Sequence, residues 1–170
     1  MVEVGTTTLV LGGGVGGLVA ANRLRRHLDR RHQVILVDRE VRHTFNPSFV
    51  WIMTGRRAPD KVSKELERLH KRGVEFVNGT ITGIDPERRR VQLGDTTLFG
   101  DQMVVSLGAD LVPDAIPGLS RSGHNIYTLD GALRANEALH AFAGGTLGVV
   151  IAGTPYKCPA APYETVMLAE

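Results

Sequence analysis

A glycine-rich turn near the amino terminus, Gly12-Gly13-Gly14-Val15-Gly16-Gly17, constrains the fold of this chain more than any other segment. It follows a short apolar, β-branched run over residues 7–11 and precedes a run of strong helix formers over residues 18–24. A second apolar run, over residues 33–37, ends at Asp38. The order of strand, glycines, helix, strand and acid predicts a βαβ unit of a parallel α/β sheet that binds a dinucleotide.

Each glycine of this Gly-x-Gly-x-x-Gly pattern has a separate physical role. Gly12 permits the tight turn from strand to helix, Gly14 lets the backbone approach a pyrophosphate, and Gly17 lets helix and strand pack closely. The start of the helix offers N–H groups and a positive dipole to the phosphates. Asp38 lies about 20 residues beyond the glycines, where a carboxylate accepts hydrogen bonds from a ribose diol and repels a 2′-phosphate. The alternative is a glycine-rich turn of another α/β sheet that binds no nucleotide.

The bulk properties predict a globular chain. Its 170 residues, 42% hydrophobic and 22% charged, are enough for one ordinary core. No apolar run approaches the roughly 20 residues of a membrane span, and no basic-then-apolar segment opens the chain. We therefore expect a cytoplasmic protein, with at most peripheral contact to a membrane. The net charge of +2 is too small to indicate nucleic acid binding, and no metal site is predicted.

A run of basic residues lies at the predicted end of the first helix. A solvent-exposed helix face is the expected structure, because cations are favourable at the C-terminus of a helix. Contact with anionic lipid is the alternative. The run comprises Arg23, Arg25, Arg26, His27, Arg30, Arg31 and His32.

The remaining elements follow from hydrophobic spacing and from turn residues. We predict a helix over 59–72, whose Val62, Leu66 and Leu69 share one face, with Gly73 at its C-cap. The aromatic side chains of the long connection 39–57 are expected to pack over the sheet edge, and stacking on a ligand is the alternative. The other predicted elements are a strand over 74–77, an antiparallel meander of 79–84, 90–93 and 97–99, a strand over 102–107, a helix over 132–142 and a strand over 148–152.

Together these patterns predict an α/β fold. We expect a Rossmann-like domain with a parallel sheet and a small antiparallel meander, followed by the start of a second, degenerate Rossmann unit. The first domain is placed at residues 1–110, a Pro- and Gly-punctuated linker at 111–123, and the second, truncated unit at 124–170.

The turn of the second unit departs from the glycine pattern. When Gly153 takes the first place, the other two places fall on Pro155 and Cys158. Proline has no N–H to donate, and neither residue permits the close backbone approach that glycine allows. The segment therefore has the topology of a nicotinamide-binding half without the means to hold a pyrophosphate.

This turn presents Cys158, the one cysteine of the chain, so no disulfide can form within the chain. A thiol that precedes a helix, with Lys157 beside it, is favoured as the nucleophilic thiolate. Glu164 lies six residues further on and is a candidate for proton transfer, but a favourable charge on the helix dipole explains its position equally well. For Cys158 the alternative is a buried structural thiol.

Several segments resemble the sulfide:quinone oxidoreductase and flavocytochrome c sulfide dehydrogenase family, which are FAD enzymes with two dinucleotide-binding domains. The resemblance covers essentially the whole chain. Its most specific part is the Cys-Pro-x-x-Pro-Tyr-Glu segment, because the glycine pattern is shared by the entire superfamily. The segments that carry it are Gly12 to Gly17, Asp38, Ser106 to Ala109, Ile116 to Gly118 and, above all, Pro155 to Glu164.

The resemblance implies FAD, with its pyrophosphate on the first glycine turn and its ribose on Asp38. It implies that Asn46 and Pro47 approach the isoalloxazine and that Gly108 passes near the flavin. By the same resemblance Cys158 is one member of a redox pair that takes up sulfide sulfur, and Glu164 is an acid/base. The implied cofactor-binding residues are Gly12, Gly14, Val15, Gly17, Asp38, Arg39, Asn46, Pro47, Val77 and Gly108.

The implied reaction passes electrons from sulfide, or a related small sulfur species, to FAD and then to a quinone or a haem subunit. In the family the second redox cysteine, the quinone site and the membrane-binding helices lie in a C-terminal half, so we expect an N-terminal part that is inactive alone. A homo-oligomer is compatible with this assignment. An NADH:quinone dehydrogenase is the nearest alternative, but it needs glycines where Pro155 and Cys158 stand. The other alternative is a non-catalytic flavin- or nucleotide-binding module with a buried, inert cysteine.

Overall fold

The computed structural model describes residues 4–169, which divide into two compact units. The first unit comprises the residues up to Thr44 together with Ser63–Ala109. The second comprises Phe45–Val62 together with the residues from Asp110 onward. The predicted α/β class, with a parallel sheet and a small antiparallel sheet, is confirmed. The predicted division into domains at residues 110 and 123 stays a prediction.

The strands of the described chain all belong to the first unit, whereas the helices are shared between the two units. The strands are β1 (Thr7–Leu11), β2 (Gln33–Asp38), β3 (Arg42–Thr44), β4 (Ser63–Glu65), β5 (Glu75–Asn78), β6 (Gly83–Asp85), β7 (Arg90–Leu93), β8 (Thr96–Phe99) and β9 (Gln102–Val105). The α-helices are α1 (Val15–His27), α2 (Phe49–Met53), α3 (Pro59–Val62), α4 (Leu119–Ser122), α5 (Leu129–His140) and α6 (Ala161–Ala169). Short 3-10 helices cover Asn46–Ser48, Leu66–Arg72 and Pro113–Ala115.

The main sheet of the first unit is parallel and has the order β5-β2-β1-β9. From β1 the chain moves outward to β2 and then to β5, and it returns to the opposite side of β1 as β9. The direction of strand addition therefore reverses between β1 and β9. In open α/β sheets such a switch point, at the carboxyl ends of the strands, is the usual place for a ligand.

The two faces of this sheet are covered by different elements. Leu9 and Leu11 pack on one side with Val91 of the β6-β7-β8 sheet, whereas Val10 packs on the other side with Ala21 of α1, and all five are fully buried. Because both faces are covered, β1 is a continuous apolar run rather than an alternating one. Each fully buried valine or leucine contributes about 1.5–3 kcal/mol to folding.

The predicted meander is present, because β6, β7 and β8 pair in antiparallel order. The predicted helix over 59–72 is wrong in its middle. The segment Ser63–Glu65 instead forms β4, which pairs with Arg42–Thr44, and a 3-10 helix follows up to the C-cap Gly73. A strand partner distant in sequence overrides the local helical spacing here. The residues predicted for the buried face, Val62, Leu66 and Leu69, are buried nonetheless.

The core of the second unit is formed by helices. Phe49 and Ile52 of α2 pack with Val62 and with Ala132 of α5. The expectation that the aromatic residues of this connection cover a sheet edge is therefore wrong for Phe49, and the side chains of Phe45 and Trp51 are exposed. Helix α5 begins three residues earlier than predicted, because the Thr128 hydroxyl accepts a hydrogen bond from the Gly131 N–H at 3.0 Å and caps it.

The strand predicted over residues 148–152 is not formed. Within residues 4–169 no strand pairs with this segment, and Val150 and Ile151 are 80% and 41% exposed. A parallel strand satisfies its backbone N–H and C=O groups only through neighbouring strands. An apolar, β-branched sequence without such neighbours forms no strand.

Candidate functional site

The predicted cofactor-binding residues of the first unit gather at the carboxyl edge of its parallel sheet. The glycine turn follows β1, Asp38 ends β2, Val77 lies in the last part of β5, and Gly108 follows β9. The glycine turn is thus located at the switch point between β1 and β9. The structure places Asn46, Pro47, Cys158 and Glu164 in the second unit.

Two of the three pattern glycines are required by packing. A Cβ on Gly12, whose φ is +101°, would lie 2.2 Å from the Ser106 carbonyl oxygen. A Cβ on Gly17 would lie 1.8 Å from the Gly12 carbonyl oxygen. Both distances are far shorter than a van der Waals contact, so only glycine fits at these two places.

Gly14 differs, because nothing in the described structure lies within 4 Å of the position that its Cβ would occupy. It is the N-cap of α1, whose first turn contains no acidic side chain. The first N–H groups of an α-helix have no partner within the helix, and the dipole favours an anion there. An open, donor-rich space beside a glycine fits the pyrophosphate of a dinucleotide.

The peptide group of Gly13 is held at both ends. Its N–H donates to Oδ2 of Asp38, whose Oδ1 accepts a hydrogen bond from the Glu40 N–H at 2.7 Å. The Gly13 carbonyl oxygen lies 3.0 Å from Nδ1 of His43. Since a carbonyl oxygen only accepts, Nδ1 carries the hydrogen. His43 was not predicted, because a contact across 30 residues leaves no sequence signal.

The other predicted residues of the first unit occupy varied environments. Val15 and Gly108 are exposed, and Gly108 has a φ of +75°. Arg39 is exposed with its Nε 3.6 Å from Glu40. Val77 is half-buried against the core of the β6-β7-β8 side. Their roles in cofactor binding, like those of Gly12, Gly14, Gly17 and Asp38, stay predictions.

The turn that carries Cys158 is exposed. The thiol is accessible, the φ of Cys158 is +55°, and its carbonyl oxygen accepts a hydrogen bond from the Ala161 N–H at 3.0 Å at the start of α6. A positive φ is uncommon for a residue other than glycine and marks a backbone held by its surroundings. The buried thiol of the non-catalytic alternative is therefore not present. Glu164 is exposed in the first turn of α6, and Asn46 and Pro47 are exposed in a 3-10 helix.

Tyr127 is a further contact of this turn that the sequence did not reveal. Its hydroxyl donates a hydrogen bond to the carbonyl oxygen of Lys157, the residue before Cys158. Burial raises the pKa of Tyr127, and the neighbouring Cys158 and Tyr156 side chains raise it further. Tyr127 thus tethers the cysteine turn to the segment that precedes α5.

The described residues contain neither a metal-binding cluster nor a membrane-spanning helix. Across residues 4–169 no group of three or more His, Cys, Asp or Glu side chains is arranged to hold a metal ion. In the same part of the chain, every helix is too short or too polar to span a bilayer.

Comparison with known proteins defines the class. The sequence profile of the family described as pyridine nucleotide-disulphide oxidoreductase matches residues 6–156. The chain therefore belongs to the pyridine nucleotide-disulphide oxidoreductase family, a family of FAD-binding flavoproteins. The resemblance to sulfide:quinone oxidoreductases is confirmed by the relatives found.

An NADH dehydrogenase-like protein of Mycobacterium tuberculosis is 32% identical over 146 residues, which are 84% of this chain and 36% of that protein. The sulfide-quinone reductase of Aquifex aeolicus is 30% identical over 164 residues, 94% of this chain and 37% of that protein. The crystal structure of the sulfide:quinone oxidoreductase from Aquifex aeolicus superposes with a TM-score of 0.74 at 28% identity, covering 80% of this chain and 32% of that chain. The chain thus spans about a third of the length of these relatives. Oxidoreductase chemistry is what the relatives share.

Proposed function

We propose that this protein is an FAD-dependent oxidoreductase of the sulfide:quinone type, which oxidises sulfide or a related small sulfur species and passes the electrons to a quinone. The observation that carries the proposal is the exposed thiol of Cys158 at the third pattern position of the second turn, three residues before the start of α6. A cysteine at this position is incompatible with a pyrophosphate site. Its thiolate is the kind of nucleophile that sulfur chemistry requires.

The first glycine turn supports the cofactor assignment. The open space at Gly14 fits the pyrophosphate of FAD, and Asp38, held by the Gly13 and Glu40 N–H groups, fits its ribose. When bound, FAD would supply a two-electron acceptor. Within the first unit, Val15, Arg39, Val77 and Gly108 are proposed to complete its binding site.

In the proposed reaction the sulfur of HS⁻ loses two electrons and one proton. It forms a bond to the sulfur of Cys158 and remains there as zero-valent sulfur, working with a second cysteine that this chain does not contain. Glu164, exposed in the first turn of α6, is proposed to accept the proton. The quinone takes up the two electrons together with two protons, one released from HS⁻ and one from water, which balances the reaction.

An NADH:quinone dehydrogenase is the second candidate, because the Mycobacterium tuberculosis relative is named NADH dehydrogenase-like. Pro155 and Cys158 oppose this candidate at the second turn. Pro155 lacks an N–H for a phosphate oxygen, and the Cys158 side chain occupies a place that glycine would leave open.

The visible absorption spectrum of the purified, FAD-loaded full-length protein tests the proposal. Anaerobic sulfide is expected to bleach the flavin absorption, and Cys158→Ser is expected to slow the bleaching at least 100-fold while leaving the oxidised spectrum unchanged. Bleaching by NADH alone, with no response to sulfide, would show that the second candidate is correct.

A further inference from the structure

Four arginine side chains surround one hollow in the first unit. The hollow has a volume of about 340 Å³ and is lined by Asn22, Arg25, Arg26, Arg30 and Arg72; we refer to it as the arginine hollow. It lies at the C-terminal end of α1, whereas the glycine turn lies at the N-terminal end. With 13 residues, α1 separates the two by about 20 Å. The hollow is therefore not part of the predicted dinucleotide site.

One of the four arginines has a structural role. Nη1 of Arg25 donates to the His32 carbonyl oxygen at 2.6 Å, and Nη2 donates to those of Leu28 and Asp29 at 2.9 and 2.6 Å. These three bonds fix the chain where it leaves α1. The position of Arg25 thus needs no ligand to explain it.

The other three guanidinium groups lack an anionic partner within the described residues. Arg72 donates from Nη1 to the neutral Oδ1 of Asn22 at 2.9 Å. In the part of the chain that the structure describes, the guanidinium groups of Arg26 and Arg30 make no hydrogen bond or ion pair. Nη1 of Arg30 lies 3.0 Å from where a Cβ on Gly73 would stand, so the missing side chain at Gly73 makes room for this guanidinium. None of the residues that line the hollow carries a carboxylate.

The surrounding charge has the same sign. Residues 22–32 and 66–73 together contain eight Lys or Arg and two Asp or Glu, a net charge of +6 on a chain whose total is +2. The rest of the chain is therefore net negative. Because arginine stays protonated, the guanidinium groups around the hollow repel one another until an anion lies between them.

We propose that the arginine hollow is a binding site for phosphate groups, and that Arg26, Arg30 and Arg72 hold them. The planar fork of a guanidinium matches two phosphate oxygens, whereas a chloride ion uses one donor at a time. Headgroups of an anionic bilayer and soluble phosphates share this chemistry, and the test distinguishes them. The proposal does not depend on the sulfide reaction.

The test compares two triple variants of the full chain that remove the same charge. Arg26→Gln, Arg30→Gln and Arg72→Gln together remove the guanidinium groups of the hollow but leave Arg25 in place. Arg56→Gln, Lys64→Gln and Arg121→Gln together form the control, because these three cations are exposed and lie outside the hollow. Equal thermal unfolding midpoints show that both variants fold.

Binding is measured by sedimentation with vesicles of phosphatidylglycerol and phosphatidylcholine, and by calorimetry with inorganic pyrophosphate. We expect the hollow variant to bind phosphatidylglycerol vesicles at least tenfold more weakly than the natural sequence, and the control variant to stay within about twofold. If only pyrophosphate binding is lost in the hollow variant, the proposal holds and the source is a soluble phosphate. Equal losses in both variants, or no binding of either probe by the natural sequence, would overturn it.

Discussion

The chain contains two turns with the same glycine-pattern spacing. They differ in the pairing of the segment that precedes them and in the space around their glycines. The first follows β1, which is paired on both sides by β2 and β9. The second follows residues 148–152, which pair with no strand among residues 4–169. At the first turn a Cβ on Gly12 or Gly17 would collide with backbone, whereas a Cβ on Gly153 would meet nothing within 4 Å.

The two turns show that a glycine at a pattern position is required either by packing or by a ligand. Gly12 and Gly17 are needed by the fold itself, because helix and strand approach there too closely for a side chain. Gly14 is not needed by the fold, so the ligand is the reason that fits its open space. At the second turn neither reason applies, and the corresponding places are occupied by Pro155 and Cys158.

The substitution Gly17→Ala tests the packing reason and has the largest expected effect. We expect it to lower the free energy of unfolding by about 3 kcal/mol or more, because the added Cβ would lie 1.8 Å from a backbone oxygen. The matched control Gly153→Ala, at an open position, is expected to stay within about 0.5 kcal/mol. Urea denaturation measures both. A Gly17→Ala protein as stable as the control would refute the distinction between the two turns.

The substitution Gly14→Ala tests the ligand reason. We expect the stability to change by no more than about 0.5 kcal/mol. FAD affinity should fall at least tenfold, which is about 1.4 kcal/mol, because the Cβ enters the space of the pyrophosphate. Flavin fluorescence titration gives the affinity, with Gly148→Ala as the control at another open position. Unchanged FAD affinity would contradict the role assigned to Gly14.

His43→Ala tests the contact that holds Gly13 from the carbonyl side. Loss of one hydrogen bond is worth about 1 kcal/mol, so we expect FAD affinity to fall by about fivefold. His27→Ala, an exposed histidine on α1, is the control. The same fluorescence titration is used, and an equal affinity in the two variants would show that His43 does not position the turn.

Alkylation of Cys158 tests whether the second turn presents its thiol as the structure has it. Because the side chain is exposed, we expect iodoacetamide to label one thiol per chain in the folded state. The rate should lie within about tenfold of that in the urea-unfolded state, since no burial protects the sulfur. Mass spectrometry at timed intervals measures it. Protection by a thousandfold would mean that the thiol is sealed and would remove the basis of the proposed sulfur chemistry.

The smallest expected effect concerns Tyr127 at high pH. Its pKa is raised above the ordinary 10.0 in the folded state, mainly by burial. Above about pH 10 the unfolded chain loses this proton first, so folding stability falls as the pH rises toward the folded-state pKa. Tyr127→Phe should reduce the loss of stability between about pH 9 and about pH 11, whereas Tyr163→Phe, at an exposed tyrosine, should not. Equal slopes for both variants in urea titrations would refute this.

The contacts that the sequence did not predict all join residues that are far apart along the chain. Ser63–Glu65 was predicted as helix because its neighbours have helical spacing, yet it pairs with Arg42–Thr44. His43 reaches Gly13 across 30 residues, and Tyr127 reaches Lys157 across another 30. No pattern within a window of a few residues contains this information.

The sequence by itself determined the parallel sheet, the glycine turn and the antiparallel meander of the first unit. It did so because apolar runs, glycines that close approach requires, and turn residues act over short stretches of chain. Only the tertiary structure decided that residues 148–152 stay unpaired, that the Gly13 peptide is held from both sides, and that four arginines of two segments face one hollow. These three features depend on which segments, distant in sequence, lie beside one another in the folded chain. Strand pairing, hydrogen bonds and charge repulsion between such segments arise only in the tertiary structure.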